Sequence, residues 1–289
     1  MGVVRDPQAE AETVKRVLIL VNPDKPGARE VAQTLCPWLS DRVKVEAMEL
    51  SEGPIQAAAD LVVVLGGDGS ILRAARTLAG REIPVVGINM GKLGYLAEFS
   101  AEEFCRSFEA IAAGAMPTSR RMMLAARCET AQADPKEYLV LNDVLMAGGM
   151  PHRMLAVSAA IDGEPLTTYF GDGVLVATPT GSTAYCLAAG GPVLSPGLEA
   201  LALVPVCPHS LTHRPIILRP ESEVVLEPCG LQTEAMLVLD GQERGRLARG
   251  DRVTIRRAAT AFLLVHNGGR PFFSTLREKL QWGQGPRYG

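Results

Sequence analysis

The stretch LVVVLGGDGS, residues 61–70, indicates how the first half of the chain folds. Its five consecutive aliphatic residues are typical of a strand that is buried on both faces of a parallel sheet. The glycines around Asp68 then form a turn, and residues 70–78 have the pattern of a helix. Because ligands bind beyond the carboxyl ends of the strands in open α/β sheets, this turn is a candidate binding position.

Segments on both sides repeat this alternation of strand and helix. We expect further strands at residues 14–21, 43–48 and 83–88, and helices at residues 28–39 and 102–113. The apolar residues of these strands are continuous rather than alternating, which favours a parallel sheet covered on both faces. The sequence therefore predicts an α/β domain over residues 1–118 that carries the Gly-Gly-Asp-Gly loop.

Beyond Pro117 the pattern changes to strands that follow one another, with one helix at residues 182–189. Asp162-Gly163 and Asp240-Gly241 are turn signals between some of them. The expected strands are residues 122–128, 138–145, 155–161, 173–177, 224–226, 235–239, 253–255 and 262–265. Residues 119–268 should therefore form an antiparallel β sandwich or layered sheet. In the remaining segment, 269–289, we expect a helix at residues 272–282 that packs back on the first domain.

Composition restricts the class of protein and of partner. The chain has 289 residues, a formal charge of −3 and scattered Lys and Arg, which argues against a nucleic-acid partner but not against small anions. The polar first 15 residues do not resemble a signal peptide, and the apolar stretch 200–207 is too short to span a membrane. Six singly spaced cysteines are typical of reduced thiols. We therefore expect a cytoplasmic protein without a membrane partner.

The loop around Asp68 has the residues that phosphate chemistry needs. Glycines allow a ligand to approach the backbone closely, and the N-terminus of the following helix offers N–H groups to a phosphate. The Asp68 carboxylate, between two glycines, is expected to be exposed and free to accept a proton from a substrate hydroxyl. A plain strand-to-helix turn would use the same residue types, so the loop alone leaves both interpretations open. The chain contains neither G-x-G-x-x-G nor a P-loop motif, which argues against a Rossmann dinucleotide site and against a P-loop nucleotide site.

Three other segments are candidates for binding. The hydroxyls of Thr178-Pro-Thr-Gly-Ser-Thr-Ala-Tyr185 could cap a helix, but their number favours a ligand with ring faces and hydroxyl groups. Asn142 and Asp143 are polar residues inside a strand-like segment, where burial is costly unless both are satisfied. Gly171-Asp172-Gly173 is typical of a tight turn. His209 and His213 lack a neighbouring glutamate, so we expect no protein zinc site.

Taken together, these segments resemble the NAD kinase family, over nearly the whole chain and in family order. The Gly-Gly-Asp-Gly loop is shared with diacylglycerol kinases, sphingosine kinases and phosphofructokinases, whereas residues 178–185 followed by Gly190-Gly191-Pro192 are far more particular to NAD kinases. The matching segments are Gly66-Gly-Asp-Gly69, Asn89-x-Gly-x-Leu-Gly-Tyr-Leu96, Leu141-Asn-Asp-Val144, Asp172-Gly173, Thr178–Tyr185, Pro208-His-Ser-Leu211 with Arg214-Pro215, and Asp240-Gly-Gln242.

The resemblance implies a fold, a reaction and an assembly. The fold would be an α/β domain of the NAD kinase/diacylglycerol kinase type followed by an all-β domain, with the active site between them. The reaction would be ATP-dependent phosphorylation of the 2′-hydroxyl of the adenosine ribose of NAD, giving NADP and ADP. Mg²⁺ or another divalent cation would come with ATP, bound through phosphates rather than by protein side chains. The chain would associate into a homodimer or homotetramer.

The resemblance also implies which residues act. Asp68 would be the catalytic base. The residues that bind NAD would be Asp68, Gly69, Arg73, Asn142, Asp143, Arg153, Asp172, Thr183, Ala184, Tyr185, Cys186, Leu187, Ala188 and Gln242. The sequence departs from many family members at three positions: Asp143 replaces Glu, Tyr95 replaces Phe, and Phe170 replaces an Arg of many bacterial members, which removes a possible phosphate contact.

Two other functions compete with this one. A lipid or sugar kinase would share the Gly-Gly-Asp-Gly loop but would not explain residues 178–185. A non-catalytic NAD(P)-binding regulator would not need Asp68 with its flanking glycines. The sequence leaves open whether the donor is ATP or polyphosphate, whether NADH is also an acceptor, and which metabolites regulate the protein.

Overall fold

The computed structural model describes residues 14–91, 94–149, 154–230 and 234–282. They form two compact units. The first unit combines the chain up to Thr77 with Glu82–Ser119 and the residues from Leu263 onward, and the second combines Leu78–Arg81 with Arg120–Phe262. The division into domains 1–118, 119–268 and 269–289 remains a prediction.

Strands predominate among the described elements. The strands are β1 Arg16–Val21, β2 Lys44–Glu49, β3 Leu61–Gly66, β4 Val85–Asn89, β5 Thr118–Thr130, β6 Ala133–Val140, β7 Asp143–Gly148, β8 Leu155–Ile161, β9 Glu164–Gly171, β10 Gly173–Ala177, β11 Leu201–Val206, β12 Ile216–Leu218, β13 Val224–Pro228, β14 Ala235–Leu239, β15 Gln242–Leu247 and β16 Arg252–Val265. The α-helices are α1 Ala28–Ser40, α2 Asp68–Thr77, α3 Ala101–Ala112, α4 Tyr185–Ala188 and α5 Phe272–Leu280, and residues Gly181–Thr183 form a 3₁₀ helix.

The first unit is built on a parallel sheet, as predicted. Its strands lie in the order β2-β1-β3-β4 and every neighbouring pair is parallel. All six residues of β3 are buried, because helices cover both faces of a sheet of this kind. The carboxyl ends of β1 and β3 therefore lie side by side, with Asn22 following one and the Gly67-Asp68 turn following the other.

The second unit consists of layered antiparallel sheets, which confirms the predicted fold class. One sheet has the strand order β12-β11-β10-β7-β14-β15, and β16, β13, β8 and β9 are antiparallel neighbours in the other. The apolar core of this unit includes Val144 and Val174 from the first of these sheets, and Val157 and Val224 from the second. Each sheet therefore contributes one face to a shared core, which is the arrangement of a layered β fold.

Two hairpins form at the predicted turns. Asp162-Gly163 joins β8 to β9, and Asp240-Gly241 joins β14 to β15. All four residues have positive φ angles, between 48° and 80°, which is the conformation of a type I′ turn. Aspartate and glycine tolerate this conformation better than other residues do, so these turns were readable from the sequence.

Several elements differ from the sequence-based expectations. Residues 253–255 and 262–265 belong to one long strand, β16, which also includes the intervening residues 256–261. The expected strand 138–145 is two strands, β6 and β7, separated at Leu141 and Asn142. The expected helix 182–189 is a 3₁₀ helix and α4, interrupted at Ala184. Within the described part of the chain, no helix combines the length and apolar character that crossing a bilayer requires.

Candidate active site

Asp68 is the first residue of α2 and directly follows the turn that ends β3. Ser70, two residues later, fastens this turn: its hydroxyl accepts the N–H of Gly67 at 3.3 Å and the side-chain amide of Asn22 at 2.8 Å. Gly66 leaves room for this hydroxyl, since an ideal Cβ at that position would lie 2.0 Å from Ser70 Oγ. The loop is thus tied to the end of β1 as well as to β3.

The Asp68 carboxylate is held by backbone amides rather than exposed and free, which corrects the expectation from the sequence. Oδ1 accepts the N–H groups of Leu96 at 2.9 Å and Ala97 at 3.1 Å, and Oδ2 accepts that of Tyr95 at 2.8 Å. An ionised carboxylate has about four acceptor positions, so Oδ2 keeps one for another donor. The orientation of the carboxylate is therefore fixed while it can still accept a proton.

The amide-bearing segment packs against α5. The Tyr95 ring lies 6.4 Å from the Phe272 ring, and Lys279 Nζ lies 4.8 Å from the Tyr95 ring centre. Burial, with a smaller contribution from the negative charge of Asp68, raises the pKa of Tyr95. Lys92 and Leu93, which belong to the same motif, lie outside the described residues.

Gly69 and Arg73 continue along α2 from Asp68. Gly69 is exposed in the first helical turn, where backbone N–H groups have no partner within the helix. The Arg73 guanidinium donates to the carbonyl of Leu50 at 3.3 Å and lies 3.6 Å from the Glu52 carboxylate. Arg73 therefore turns toward residues 50–52 and does not pair with Asp68.

In the second unit, Asp240 shapes the segment that contains Asn142 and Asp143. Its carboxylate accepts the N–H groups of Leu141 at 3.1 Å, Asn142 at 2.7 Å and Asp143 at 3.3 Å. Thr178 holds the other side, because its hydroxyl donates to the Leu141 carbonyl at 2.6 Å. These contacts explain why the chain leaves the sheet between β6 and β7 instead of continuing as one strand.

Asn142 and Asp143 differ in how well they are satisfied. Asn142 Oδ1 is buried without a hydrogen-bond partner, so a ligand N–H at this position would remove the cost of burying it. Asp143 is 4% exposed. Burial, and then the neighbouring charge of Asp240, raises its pKa from 3.8 to about 7. Two buried carboxylates side by side therefore make protonation of Asp143 easy near neutral pH.

The hydroxyl-rich segment divides into internal and exposed groups. Thr178 Oγ1 accepts the Gly181 N–H at 3.0 Å, and Ser182 Oγ donates to the Pro179 carbonyl at 2.6 Å. Both residues are fully buried, so these hydroxyls stabilise the local fold and do not account for ligand binding. Tyr185, by contrast, is 47% exposed at the start of α4.

Residues 183, 184 and 186–188 of this segment also differ in how exposed they are to a ligand. The Cys186 thiol lies in an apolar cluster, and burial, with a smaller contribution from Asp143, raises its pKa to about 11. A ligand contact from Cys186 would therefore involve its backbone. Thr183, Ala184 and Leu187 are half-buried, and Ala188 is exposed.

Asp172 lies at a corner between two strands rather than in a tight turn. β9 ends at Gly171 and β10 begins at Gly173, and the two strands belong to different sheets. Both glycines are needed for close packing, because an ideal Cβ would lie 2.7 Å from the Cys207 carbonyl oxygen at Gly171 and 2.5 Å from the Met146 carbonyl oxygen at Gly173. The exposed Asp172 side chain accepts a hydrogen bond from the Cys207 thiol, which raises the pKa of that thiol.

Gln242 begins β15, directly after the Asp240-Gly241 turn. Its carbonyl oxygen Oε1 accepts a hydrogen bond from the Arg244 guanidinium at 2.5 Å. Arginine can only donate, so this contact directs the amide nitrogen of Gln242, a donor, away from Arg244. Gln242 is therefore arranged to donate to an acceptor on a ligand.

Sequence reasoning missed three residues that organise these positions: Asn22, Thr178 and Asp240. Thr178 and Asp240 belong to a motif and a turn named in the sequence analysis, and Asn22 directly follows the first expected strand. Their partners lie far away in sequence, at separations of 37 residues for Thr178, 97–99 for Asp240 and 48 for Asn22. The signal available in the sequence was a polar residue directly after an apolar strand-like segment, as at Asn22, Thr178 and Asp240. Arg153, one of the expected NAD-binding residues, lies outside the described residues.

Comparison with known proteins gives the family. Residues 51–116 match the ATP-NAD kinase N-terminal domain, and residues 141–267 match the ATP-NAD kinase C-terminal domain. The NAD kinase of Geobacter metallireducens is 39% identical over 282 residues, covering 94% of this chain and 100% of the relative. The NAD kinase of Heliobacterium modesticaldum is 41% identical over 278 residues, covering 92% and 98%.

Solved structures agree on the fold. An NAD kinase from Archaeoglobus fulgidus in complex with ATP superimposes with a TM-score of 0.75 at 26% identity, covering 92% of this chain and 98% of that one. A yeast NADH kinase complexed with NADH has a TM-score of 0.87 at 24% identity, covering 96% and 90%, and is similar in fold. With both family domains matched along the chain and relatives matched over their full length, the chain belongs to the ATP-NAD kinase family.

Proposed function

We propose that the chain transfers the terminal phosphoryl group of ATP to the 2′-hydroxyl of the adenosine ribose of NAD, with Asp68 as the base. The observation that carries this assignment is the carboxylate at the end of β3, oriented by three amides and left with one acceptor position on Oδ2. Family membership supports the reaction, and this geometry supports Asp68 as the residue that accepts the proton. ATP-dependent phosphorylation of NAD is the activity of the family to which the chain belongs.

Asp68 would act by orienting the acceptor hydroxyl and taking its proton. Its fixed carboxylate cannot rotate to follow the substrate, so the hydroxyl must approach Oδ2 from one direction. As the oxygen attacks the phosphorus, the proton passes to Oδ2 and ADP leaves with the broken bond's electron pair. Catalysis of this kind depends on position and charge rather than on a covalent intermediate.

The phosphates of ATP would be bound by the backbone at the start of α2 and by a divalent cation. Gly69 is exposed in the first turn of α2, where the helix dipole favours an anion. Mg²⁺ takes oxygen ligands and would come with ATP, bound through the phosphates of the nucleotide. When bound, Mg²⁺ would neutralise the charge of the transferred group.

NAD would be bound by polar groups of the second unit. Asn142 Oδ1, buried without a partner, fits an N–H donor such as an amide or an amino group of the substrate. Gln242 presents a donor, Tyr185 presents an exposed ring, and Asp172 presents an exposed carboxylate. These groups support recognition of a ligand with rings, hydroxyls and amide functions.

The proposed reaction is tested by assaying the parent protein and Asp68→Asn with a panel of phosphoryl acceptors and donors. The parent should form NADP from NAD, ATP and Mg²⁺, and diacylglycerol, sphingosine and fructose phosphates should not replace NAD. NADH as acceptor and polyphosphate as donor belong in the same panel.

Asp68→Asn should lower kcat by about 10²–10⁴-fold and leave NAD binding largely intact, because a general base contributes that much. Turnover of Asp68→Asn close to that of the parent would show that Asp68 is not the base.

Assembly and location complete the proposal. We propose that the active protein is a cytoplasmic homo-oligomer, a dimer or tetramer, in which Asp172 contributes to the site of a neighbouring subunit. Exposed apolar side chains of the second unit, including Phe170 and Leu211, support a surface that another subunit covers. The oligomer is open to test by the subunit-mixing experiment described in the Discussion.

A further inference from the structure

Three segments of the first unit meet around the His266 ring. Glu98 Oε1 lies 2.8 Å from His266 Nδ1, and Oε2 accepts the backbone N–H of Asn267 at 3.0 Å. On the other side of the ring, His266 Nε2 lies 2.7 Å from Ser119 Oγ. The side chains are 11% exposed for Glu98 and 22% for His266. Because an ionised carboxylate can only accept, His266 Nδ1 carries the proton in this contact.

Glu98 directly follows the residues whose amides hold Asp68. Ala97 donates to Asp68 Oδ1, and Glu98 is the next residue along the chain. On the other side, Phe99 is fixed to β4, since its N–H donates to the Gly87 carbonyl at 3.1 Å and its carbonyl accepts the Asn89 N–H at 2.8 Å. The Glu98 side chain thus fastens the peptide between residues 95–97, which contact Asp68, and Phe99, which pairs with β4.

We propose that Glu98, held by His266 and Asn267, is a positioning residue for phosphoryl transfer. It fixes the peptide of residues 95–97, whose amides in turn fix the orientation of the Asp68 carboxylate. The inference rests on the proposed role of Asp68 as base. Reactions of this kind lose about 10²-fold in rate when the reacting groups are displaced by about 1 Å, so a loosened peptide should lower kcat.

The same unit offers a matched control at the opposite end of the sheet. The Asp60 carboxylate also accepts backbone amides, those of Lys15 at 3.0 Å and Arg16 at 2.9 Å, and it pairs with the Arg16 guanidinium at 2.6 Å. Asp60 directly precedes β3, whereas Asp68 follows that strand. Asp60→Asn therefore weakens a similar carboxylate–amide contact in the same unit without touching the residues around Asp68.

The experiment compares kcat, the KM for NAD and ATP, and the melting temperature among variants. Glu98→Gln should lower kcat by about tenfold and change both KM values by less than about twofold, because the loss lies in orientation and not in uniform binding. Asp60→Asn should keep the parent kcat even though its melting temperature falls. Equal kcat values for Glu98→Gln and Asp60→Asn, at equal melting temperatures, would overturn the proposal.

His266 provides a second comparison that does not need the Glu98 variant to fold. His266→Ala removes the donor to Glu98, whereas His266→Asn keeps a side-chain N–H that can donate to the carboxylate. The proposal requires a higher kcat for His266→Asn than for His266→Ala at matched melting temperatures. The same kcat for both would mean that the contact to Glu98 does not position the peptide.

A double-mutant cycle shows whether Glu98 acts through Asp68. In the Asp68→Asn background, Glu98→Gln should cause no further loss of kcat, measured with an enzymatic cycling assay for NADP that detects slow turnover. Losses that multiply independently would overturn the inference. The two proposals fail separately: a fully active Asp68→Asn rejects the base, whereas an inactive Asp68→Asn with a fully active Glu98→Gln rejects only the positioning role.

Discussion

Asp68 Oδ1 occupies the place that a side chain at position 94 would need. An ideal Cβ built on Gly94 would lie 2.0 Å from this oxygen, whereas real Cβ atoms essentially never approach a heavy atom to within 3.0 Å. The absence of a side chain at position 94 therefore allows the carboxylate to reach the amides of residues 95–97. A glycine in one motif is thus a steric requirement of the aspartate in another.

Gly94→Ala should displace either the carboxylate or the amide segment and lower kcat by about 10²-fold, as expected for a misplaced reacting group. Steady-state NADP formation measures the loss, and the melting temperature reports on folding. Gly91→Ala is the control on the same segment, because nothing lies within 4 Å of an ideal Cβ there. Parent activity for Gly94→Ala would show that the carboxylate does not need its present place.

The raised pKa of Asp143 predicts a pH dependence of stability. The folded protein binds a proton at Asp143 with a pKa of about 7, against 3.8 for the ordinary carboxyl. The folded state therefore holds this proton more tightly than the unfolded state, and this contribution to stability is fully present below pH 4 and is lost as the pH rises to 7. Asp143→Asn lacks this loss. Its free energy of unfolding should therefore rise relative to that of the parent between pH 4 and pH 7, by on the order of a few kcal/mol.

Urea unfolding of both proteins at several pH values between 4 and 8 checks this prediction. The comparison cancels the other carboxylates, such as Asp60, whose pKa is lowered by its hydrogen bond to Arg16. The difference between the two proteins should grow up to about pH 7 and then stay constant. A difference that does not change with pH would mean that Asp143 ionises normally in the folded protein.

Phe170→Arg should increase inhibition by NADP. Phe170 is 46% exposed on β9, two residues before Asp172, and the resemblance described in the sequence analysis implies that it takes the place of an Arg. A charge-assisted hydrogen bond contributes roughly 1.5–3 kcal/mol, and less where solvent screens it, so a several-fold decrease in the inhibition constant is expected. Phe170→Gln, which is polar but uncharged, is the control. Unchanged inhibition by NADP in Phe170→Arg would exclude a phosphate contact at this position.

Mixing two inactive variants tests whether neighbouring subunits share a site. Asp68→Asn and Asp172→Asn are combined under conditions that allow subunit exchange, verified by mass spectrometry of differently tagged chains. If the two residues serve one site from different chains, some sites of the mixed assemblies carry neither substitution. Activity should then rise above that of either variant alone. No recovery despite proven exchange would mean that each chain builds its own site.

The local features of the fold could be predicted from the sequence. β3 and its loop were readable because a buried aliphatic run and a glycine turn are both encoded in neighbouring residues. The bounds of β8, β10 and β14 agree with the expected ones for the same reason. β9 was missed, since its sequence EPLTTYFG has neither a continuous nor an alternating apolar pattern and carries a proline, and it is stabilised by pairing with β8.

The arrangement of the candidate site was harder to predict because its contacts are distant in sequence. The sequence indicated Asp68 as a functional residue but not that amides 27 to 29 residues later hold its carboxylate. Thr178 and Ser182 appeared to be ligand-binding hydroxyls, whereas they are buried and bonded to the backbone. Composition and spacing report which side chains are present, and only packing decides which of them remain available.

The contact between Asp240 and residues 141–143 has a consequence for synthesis of the chain. The carboxylate that shapes this segment lies 97 to 99 residues further along. While the ribosome makes the chain, Leu141, Asn142 and Asp143 therefore leave the exit tunnel long before their hydrogen-bond acceptor exists. At the usual 5–20 residues per second, the peptide waits for about 5–20 seconds without it. The conformation that these hydrogen bonds give to the segment is thus acquired only after the β14–β15 hairpin has been translated.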